Sequence, residues 1–323
     1  MNSKTDVLLL SAGRRVELAQ AFKAELNDRC VSSRLVATDM KPALSAACQV
    51  ADLAIKAPRV SDPAYIDFLW DICDAENIGL VVPTIDTELQ LLAQHRDAFA
   101  AHGVHIVISD ESLVDICRDK RLTAGLFNQL DIETPRIYDR TAIEFPCFAK
   151  PYDGSCSVGA TAVQHAAMLS DAMLADEKMM FMELIDRSHS EFTVDAYYNR
   201  TGRLISFVPR ERIEVRGGEI SKGITRRHYV YDYLLPALSI LKGARGCITL
   251  QLFANAETGR FAALEINPRF GGGYPLSYSA GANYPGWLID EYMLNKEIQF
   301  YDGWEADLMM LRYDAKVLVR HAA

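Results

Sequence analysis

Apolar residues in the first hundred positions fall in short runs separated by longer amphipathic stretches. Val7-Leu-Leu-Leu10, Leu35-Val-Ala-Thr38, Gly79-Leu-Val-Val82 and His105-Ile-Val-Ile108 are runs of the kind a strand covered on both faces requires. Between them, Arg14 to Asn27, Pro63 to Asn77 and Thr87 to Ala101 place apolar residues at helical spacing. In the second of these, Tyr65, Leu69, Ile72 and Cys73 share one face. Short strands alternating with helices predict parallel β-α-β units, hence an α/β lobe with an open doubly wound sheet. In such a sheet, ligand groups gather at the strand carboxyl ends.

The pattern changes near Ser109. Ser112 to Leu130 reads as one long helix, and Pro135 and Pro146 bracket a loop. Cys147-Phe-Ala-Lys150 is a short strand running into a Gly/Ser-rich loop. From Met179 onward the runs lengthen and alternate: Met179 to Ile185, Glu191 to Tyr198, Leu204 to Pro209, Cys247 to Asn255 and Arg260 to Asn267. These predict antiparallel strands and an α+β second part. The division falls at residues 1–112 and 113–323, with a small β lobe at about 135–183.

Composition narrows the function classes. The chain of 323 residues has a formal net charge of −9, so it lacks the general basic footprint of a nucleic-acid binder. No stretch approaches the roughly 20 apolar residues of a membrane span. Only Val7 to Leu10 follow the polar N-terminus as an apolar core, too short for a signal peptide. The seven cysteines include no C-x-x-C pair, which fits reduced thiols and a cytoplasmic setting. Cys156 has no histidine in an obvious partner position and reads as a loop filler. His102 and His105 read as solvated loop residues rather than metal ligands.

The N-terminal strand, glycine turn and helix, with Asp39 after the second strand, invite comparison with a nicotinamide site. Ser11-Ala-Gly13-Arg-Arg-Val lacks the G-x-G-x-x-G spacing, and Val16 stands where a small residue is needed. A structural lobe is the better reading. Its loop ends place Arg14, Asp39, Asp86 and Glu88 as candidates for substrate contact.

Two segments carry stronger chemistry. Lys150 is followed by Pro-Tyr-Asp-Gly154-Ser155-Cys-Ser157-Val-Gly159. Glycine lets backbone N–H groups close around phosphate oxygens, the hydroxyls of Ser155 and Ser157 add donors, and Lys150 adds a point charge. The lysine precedes the loop, so this is not a P-loop. The second segment is the hairpin ending in Glu265-Ile-Asn267-Pro-Arg269. If it is symmetric about Thr258, Gln251 lies opposite Glu265, with Cβ atoms about 5 Å apart. One carboxylate and two amide oxygens on one face suit Mg²⁺, with Mn²⁺ as the alternative. Leu250, Leu252, Leu264 and Ile266 fill the other face. Arg269, just beyond the strand, is placed to hold an anionic acyl phosphate.

This pattern resembles the metal site of the ATP-grasp superfamily, in the form found in the carbamoyl-phosphate synthase large subunit and its single-unit relatives. The resemblance runs from the N-terminal lobe to about Trp287. It implies a two-lobed ATP-grasp domain after the α/β lobe, and a glutamate, Glu265, bridging two magnesium ions beside Gln251 and Asn267. It implies phosphate contacts for Lys120 and Lys150 and an adenine hinge at Glu183-Leu184-Ile185. It makes Glu191 the ribose acid and Gly159 part of the phosphate loop. The stretch with Arg212 and Lys222 faces substrate in relatives, and both are candidates for anion contacts; a solvated charged loop is the alternative. The backbone at Gly272 either binds substrate or makes a tight turn.

The implied activity is ATP- and Mg²⁺-dependent ligation of a small carboxylate to an amine through an acyl phosphate, in a cytoplasmic protein compatible with a homodimer. Catalytic roles fall to Arg269 and Lys150. Phosphorylation of bicarbonate, a non-catalytic nucleotide-binding protein and a nicotinamide enzyme are the rival readings. The chain has one ATP-grasp unit where the synthase subunit has two.

Overall fold

The computed structural model describes residues 4–29, 32–154 and 158–320. Strands β1 (Asp6–Leu9), β2 (Leu35–Asp39), β3 (Leu53–Lys56), β4 (Ile78–Val82) and β5 (His105–Ile106) form one parallel sheet in the order β3-β2-β1-β4-β5. The short apolar runs become its inner strands because helices cover both faces: β1 and β4 are buried at every position. β3 is missing from the strand assignments above. Its alternating exposure, as an edge strand, gives too weak an apolar signal.

Strands β6 (Ile137–Tyr138), β7 (Cys147–Pro151), β8 (Thr161–Val163) and β9 (Met179–Glu183) form an antiparallel sheet ordered β6-β9-β7-β8. It has its own small core of Cys147, Ala149, Val163 and Phe181. The remaining strands, β10 (Ser190–Tyr198), β11 (Leu204–Arg216), β12 (Glu219–Thr225), β13 (Gly246–Ala254), β14 (Phe261–Asn267) and β15 (Met309–Leu311), make a second antiparallel sheet ordered β14-β13-β10-β11-β12-β15. One continuous apolar core runs from Val7 and Leu80 of the parallel sheet through helix Tyr229–Ile240 to Leu250 and Ile266 of the large sheet.

The long helix expected over 112–130 is two helices, Glu111–Arg118 and Lys120–Gln129. Asp119 leaves helical geometry (φ −113°, ψ 115°), and its carboxylate caps the second helix by accepting from Arg121 N at 2.8 Å. Aspartate competes well for this N-cap position. The break makes Lys120 the first residue of a helix that packs against β14, beside the predicted metal face.

Inside the large sheet lies a charge pair with almost no exposure: Asp195 is 0% and Arg210 1% exposed. Arg210 donates from Nε to Asp195 Oδ2 at 2.7 Å and from Nη2 to Oδ1 at 3.0 Å. Ser277 Oγ donates to Oδ2 at 2.6 Å, and Thr249 Oγ1 lies 3.3 Å from Oδ1. Removing one member strands a buried charge. Asp195→Ala is therefore expected to cost about 3–5 kcal/mol, read as a lowered midpoint in denaturant at unchanged slope. A loss under about 1 kcal/mol would show that the pair does not hold this sheet together.

Candidate active site

A cleft of about 460 Å³ opens between the four-stranded sheet and the large sheet. One wall is the end of β7 and β9, with Phe148, Lys150, Met182, Glu183, Leu184 and Ile185. The opposite wall is the β13–β14 hairpin, with Gln251, Glu265 and Asn267. The hairpin pairs as expected: Gln251 lies opposite Glu265, and Thr249 opposite Asn267. A bulge follows Gln251, so the register slips by one residue toward the turn without moving the functional pair.

The three side chains interact with the cleft as a polar cluster. Asn267 Nδ2 donates to Glu265 Oε1 at 3.0 Å, and Lys120 Nζ lies 3.5 Å from Glu265 Oε2. Lys120 Nζ also donates to Gly154 O, tying the start of the Gly/Ser-rich loop to the Gln251–Glu265 hairpin. Gln251 Nε2 and Arg212 Nη1 both donate to Glu191, the latter at 2.6 Å. The donor set of one carboxylate and two amide oxygens, in an open polar cleft, fits a hard cation that keeps water and phosphate ligands.

Lys150 faces this cluster across the cleft. Burial pushes its ammonium down to about 8; nearby Glu265 works against that shift and Lys120 adds to it. An under-solvated lysine here gains from any anion placed in the cleft. At the hinge, burial disfavours ionised Glu183, but the hydrogen bond from Arg260 at 2.6 Å, the Arg136 backbone N–H and the charges of both arginines together outweigh it and hold the carboxyl below its usual range. Met182, Phe148, Leu264 and Phe253 give the hinge end of the cleft apolar surface.

The cleft thus gathers Lys120, Lys150, Glu183, Leu184, Ile185, Glu191, Arg212, Gln251, Glu265, Asn267, Arg269 and Gly272. Ser155, Ser157 and Cys156 lie outside the described residues. Gly159, at φ 73°, turns the loop behind Val158 and Ala160, which line the cleft in its place.

Four substrate candidates are corrected. Arg14 is exposed; its neighbour Arg15 turns inward and donates from Nη2 to Thr84 O at 3.1 Å. Lys222 pairs with Glu214 at 2.7 Å on the surface, because its position on β12 faces away from the cleft. Glu88 is 0% exposed and clamps loop ends: it accepts from Thr84 N at 2.7 Å, Ile85 N at 3.1 Å and Ser11 Oγ at 2.9 Å. Asp39 is likewise a loop brace, accepting from Gly13 N and Lys41 N. Asp86 does meet the site, through Arg269 Nη2 at 2.8 Å.

Several residues of the cleft went unnoticed in the sequence. Arg210, Thr249 and Glu219 line it, and Asp195 anchors it from beneath. A signal existed: Asp195 in Phe-Thr-Val-Asp-Ala-Tyr-Tyr and Arg210 after Phe-Val-Pro are charges inside otherwise apolar strands. Their pairing needed the fold.

Residues 7–107 match the family model described as PylC-like, N-terminal domain. Residues 175–309 match the model described as ATP-grasp in the biosynthetic pathway with Ter operon. No curated protein matches. Among solved structures, the biotin carboxylase domain of Hydrogenobacter thermophilus 2-oxoglutarate carboxylase, with MgADP, ADP and bicarbonate, aligns at TM-score 0.75 and 14% identity, covering 96% of this chain and 74% of that one. An ADP complex of N5-carboxyaminoimidazole ribonucleotide synthetase aligns at 0.70 and 14%, covering 93% and 80%. The L-amino acid ligase from Bacillus licheniformis aligns at 0.68 and 15%, covering 91% and 75%. At these identities the likeness to solved structures speaks to the fold.

Burial pushes the Glu88 carboxyl up to about 7, against the pull of its three hydrogen bonds. Between the usual carboxylate range and about 7, the folded chain keeps a proton that the unfolded chain has released. This contribution to stability is present in acid and is lost as pH rises through that window. Glu88→Gln is neutral throughout. Its thermal midpoint is expected to fall less than the wild type's from about pH 5 to about pH 8. Parallel profiles would show that Glu88 is ionised when folded.

Proposed function

We propose that this chain, which belongs to the ATP-grasp superfamily, is an ADP-forming, magnesium-dependent ligase that activates a small carboxylic acid as an acyl phosphate for attack by an amine. The observation that carries this reading is the directly opposed pair Gln251 and Glu265, with Asn267 and Lys120 beside it and Lys150 across a cleft. The two family-model matches support it, as do the related folds crystallised with ADP.

In this reading Glu183, Leu184 and Ile185 receive the adenine, Glu191 the ribose, and Lys120 and Lys150 the phosphates. Gln251, Glu265 and Asn267 hold Mg²⁺, which supplies charge neutralisation on the β- and γ-phosphates of ATP. A carboxylate oxygen of the substrate forms the new bond to the γ-phosphorus as the bond to the β-phosphate oxygen breaks, and ADP leaves. Arg269, held by Asp86, positions the carboxylate and then the acyl phosphate. The amine displaces phosphate and loses a proton, giving an amide. Exclusion of water from the cleft protects the acyl phosphate from hydrolysis.

The substrates are small molecules, and the division at residues 1–112 and 113–323 separates the N-terminal lobe from the ligase body. No helix among the described residues is long and apolar enough to cross a membrane, and a cytoplasmic homodimer is compatible with the chemistry. A second reading, phosphorylation of bicarbonate, is favoured by the bicarbonate in one related structure. ADP release that needs bicarbonate and no other acid would select it.

Glu265→Ala is expected to lower acid-dependent ADP release by at least about 100-fold, with the thermal midpoint retained. Unchanged release would show that the metal is held elsewhere.

A further inference from the structure

Beyond the metal face, the inner end of the cleft is walled by the Gly271-Gly272-Gly273 loop, the start of β12 and Arg269. Guanidinium groups crowd this region, and nearly all have an acidic partner. Arg210 has Asp195, Arg269 has Asp86, Arg212 has Glu191, and Arg312 has Glu17 at 3.5 Å. Two charges stand outside this pairing among the described residues. Arg15 has a hydrogen bond only to the Thr84 carbonyl and no carboxylate within the 4.0 Å of an ion pair. Glu219, which lines the cleft, likewise has no cation within 4.0 Å and no hydrogen-bond partner for its carboxylate. The two still feel each other: burial and Arg269 depress the Arg15 pKa, while Glu219 and Asp86 pull the other way.

An unmatched anion lining one end of the cleft, with an unmatched cation behind the Arg269 that lines the same end, is complementary to a molecule carrying both charges. We propose that the acid activated here is an amino acid, with its ammonium on Glu219 and its carboxylate facing Arg269. The inference rests on the ligase reading above and names its substrate class.

Local structure holds Glu219 where this requires. Gly217 and Gly218 both have positive φ (59° and 80°), making the tight turn between β11 and β12 that swings Glu219 over the cleft. Arg212 Nη2 donates to Gly218 O at 3.1 Å and ties the turn down. The Glu219 carboxylate then lies flush on Gly272, where an added Cβ would fall 1.8 Å from Oε2. Arg312 Nη2, bonded to Gly272 O at 2.7 Å, fixes the other side of that glycine. The result is a carboxylate whose position is set by packing and whose hydrogen-bonding capacity is unused. A half-buried acceptor that no protein donor occupies favours a ligand that brings a donor over one that lacks it.

The test uses the whole chain with Mg²⁺, ATP and hydroxylamine, which traps any acyl phosphate as a hydroxamate whatever the natural amine. Each L-amino acid is compared with its counterpart lacking the amino group: alanine with propionate, aspartate with succinate, phenylalanine with 3-phenylpropionate. Bicarbonate is assayed alongside by ADP release. The expected result is turnover of an amino acid in preference to its counterpart, with Glu219→Gln lowering that preference in kcat/KM by about 100-fold. Gly272→Ala should lower it similarly, because its methyl displaces the carboxylate without removing the charge. If a simple acid or bicarbonate is used as well as any amino acid, and both variants act equally on both kinds of acid, the inference is overturned and the ligase reading stands. If no acid of either kind gives ADP or hydroxamate, the ligase reading falls, and the inference with it.

Discussion

The pair of Asp195 and Arg210 is the constraint on which the cleft depends. It joins β10 to β11, and Thr249 and Ser277 extend it to β13 and to helix Tyr274–Ser279. Tyr284 OH reaches the Asp195 carbonyl at 2.9 Å, bringing in the next helix. Two charges without solvent would oppose folding if they were loosely arranged; four hydrogen bonds to one carboxylate make their geometry singular. Because Arg210 itself lines the cleft, the same network that locks the sheet also sets the floor under the substrate end.

From that floor the cleft grades from apolar to charged. The hinge end has Met182, Phe148 and Leu264 around a carboxylate held ionised by Arg260. The middle has Lys120 and Lys150 against Glu265, with Lys150 short of solvent and of countercharge. The far end has arginines anchored by acids. The cleft therefore offers apolar surface at one end and cationic groups toward the other.

The N-terminal lobe contributes through loops rather than through a binding crevice of its own. At the point where its strand order reverses, between β1 and β4, Glu88 and Thr84 satisfy the loop ends internally. With those groups occupied, Arg15 and Asp86 are the residues that project toward Arg269. The lobe therefore acts as a wall that fixes Arg269, and the failed dinucleotide fingerprint around Gly13 is consistent with that.

Strand type, helix placement and the opposition of Gln251 and Glu265 were legible because each depends on local periodicity or on a short hairpin. Asp119 escaped notice because capping decided between one helix and two, a choice that apolar spacing does not record. Arg14 and Arg15 are adjacent in the turn before helix Val16–Arg29, and only the packing of that turn in the lobe decides which points inward. Lys222 and Glu219 lie three residues apart on one strand, and a bulged register with β11 decided which reaches the cleft. The sequence by itself determined the folding units and the opposition of Gln251 and Glu265, since those follow from neighbours along the chain. Only the tertiary structure decided which charges are neutralised and which are left free to bind, because pairing depends on distances between segments far apart in sequence.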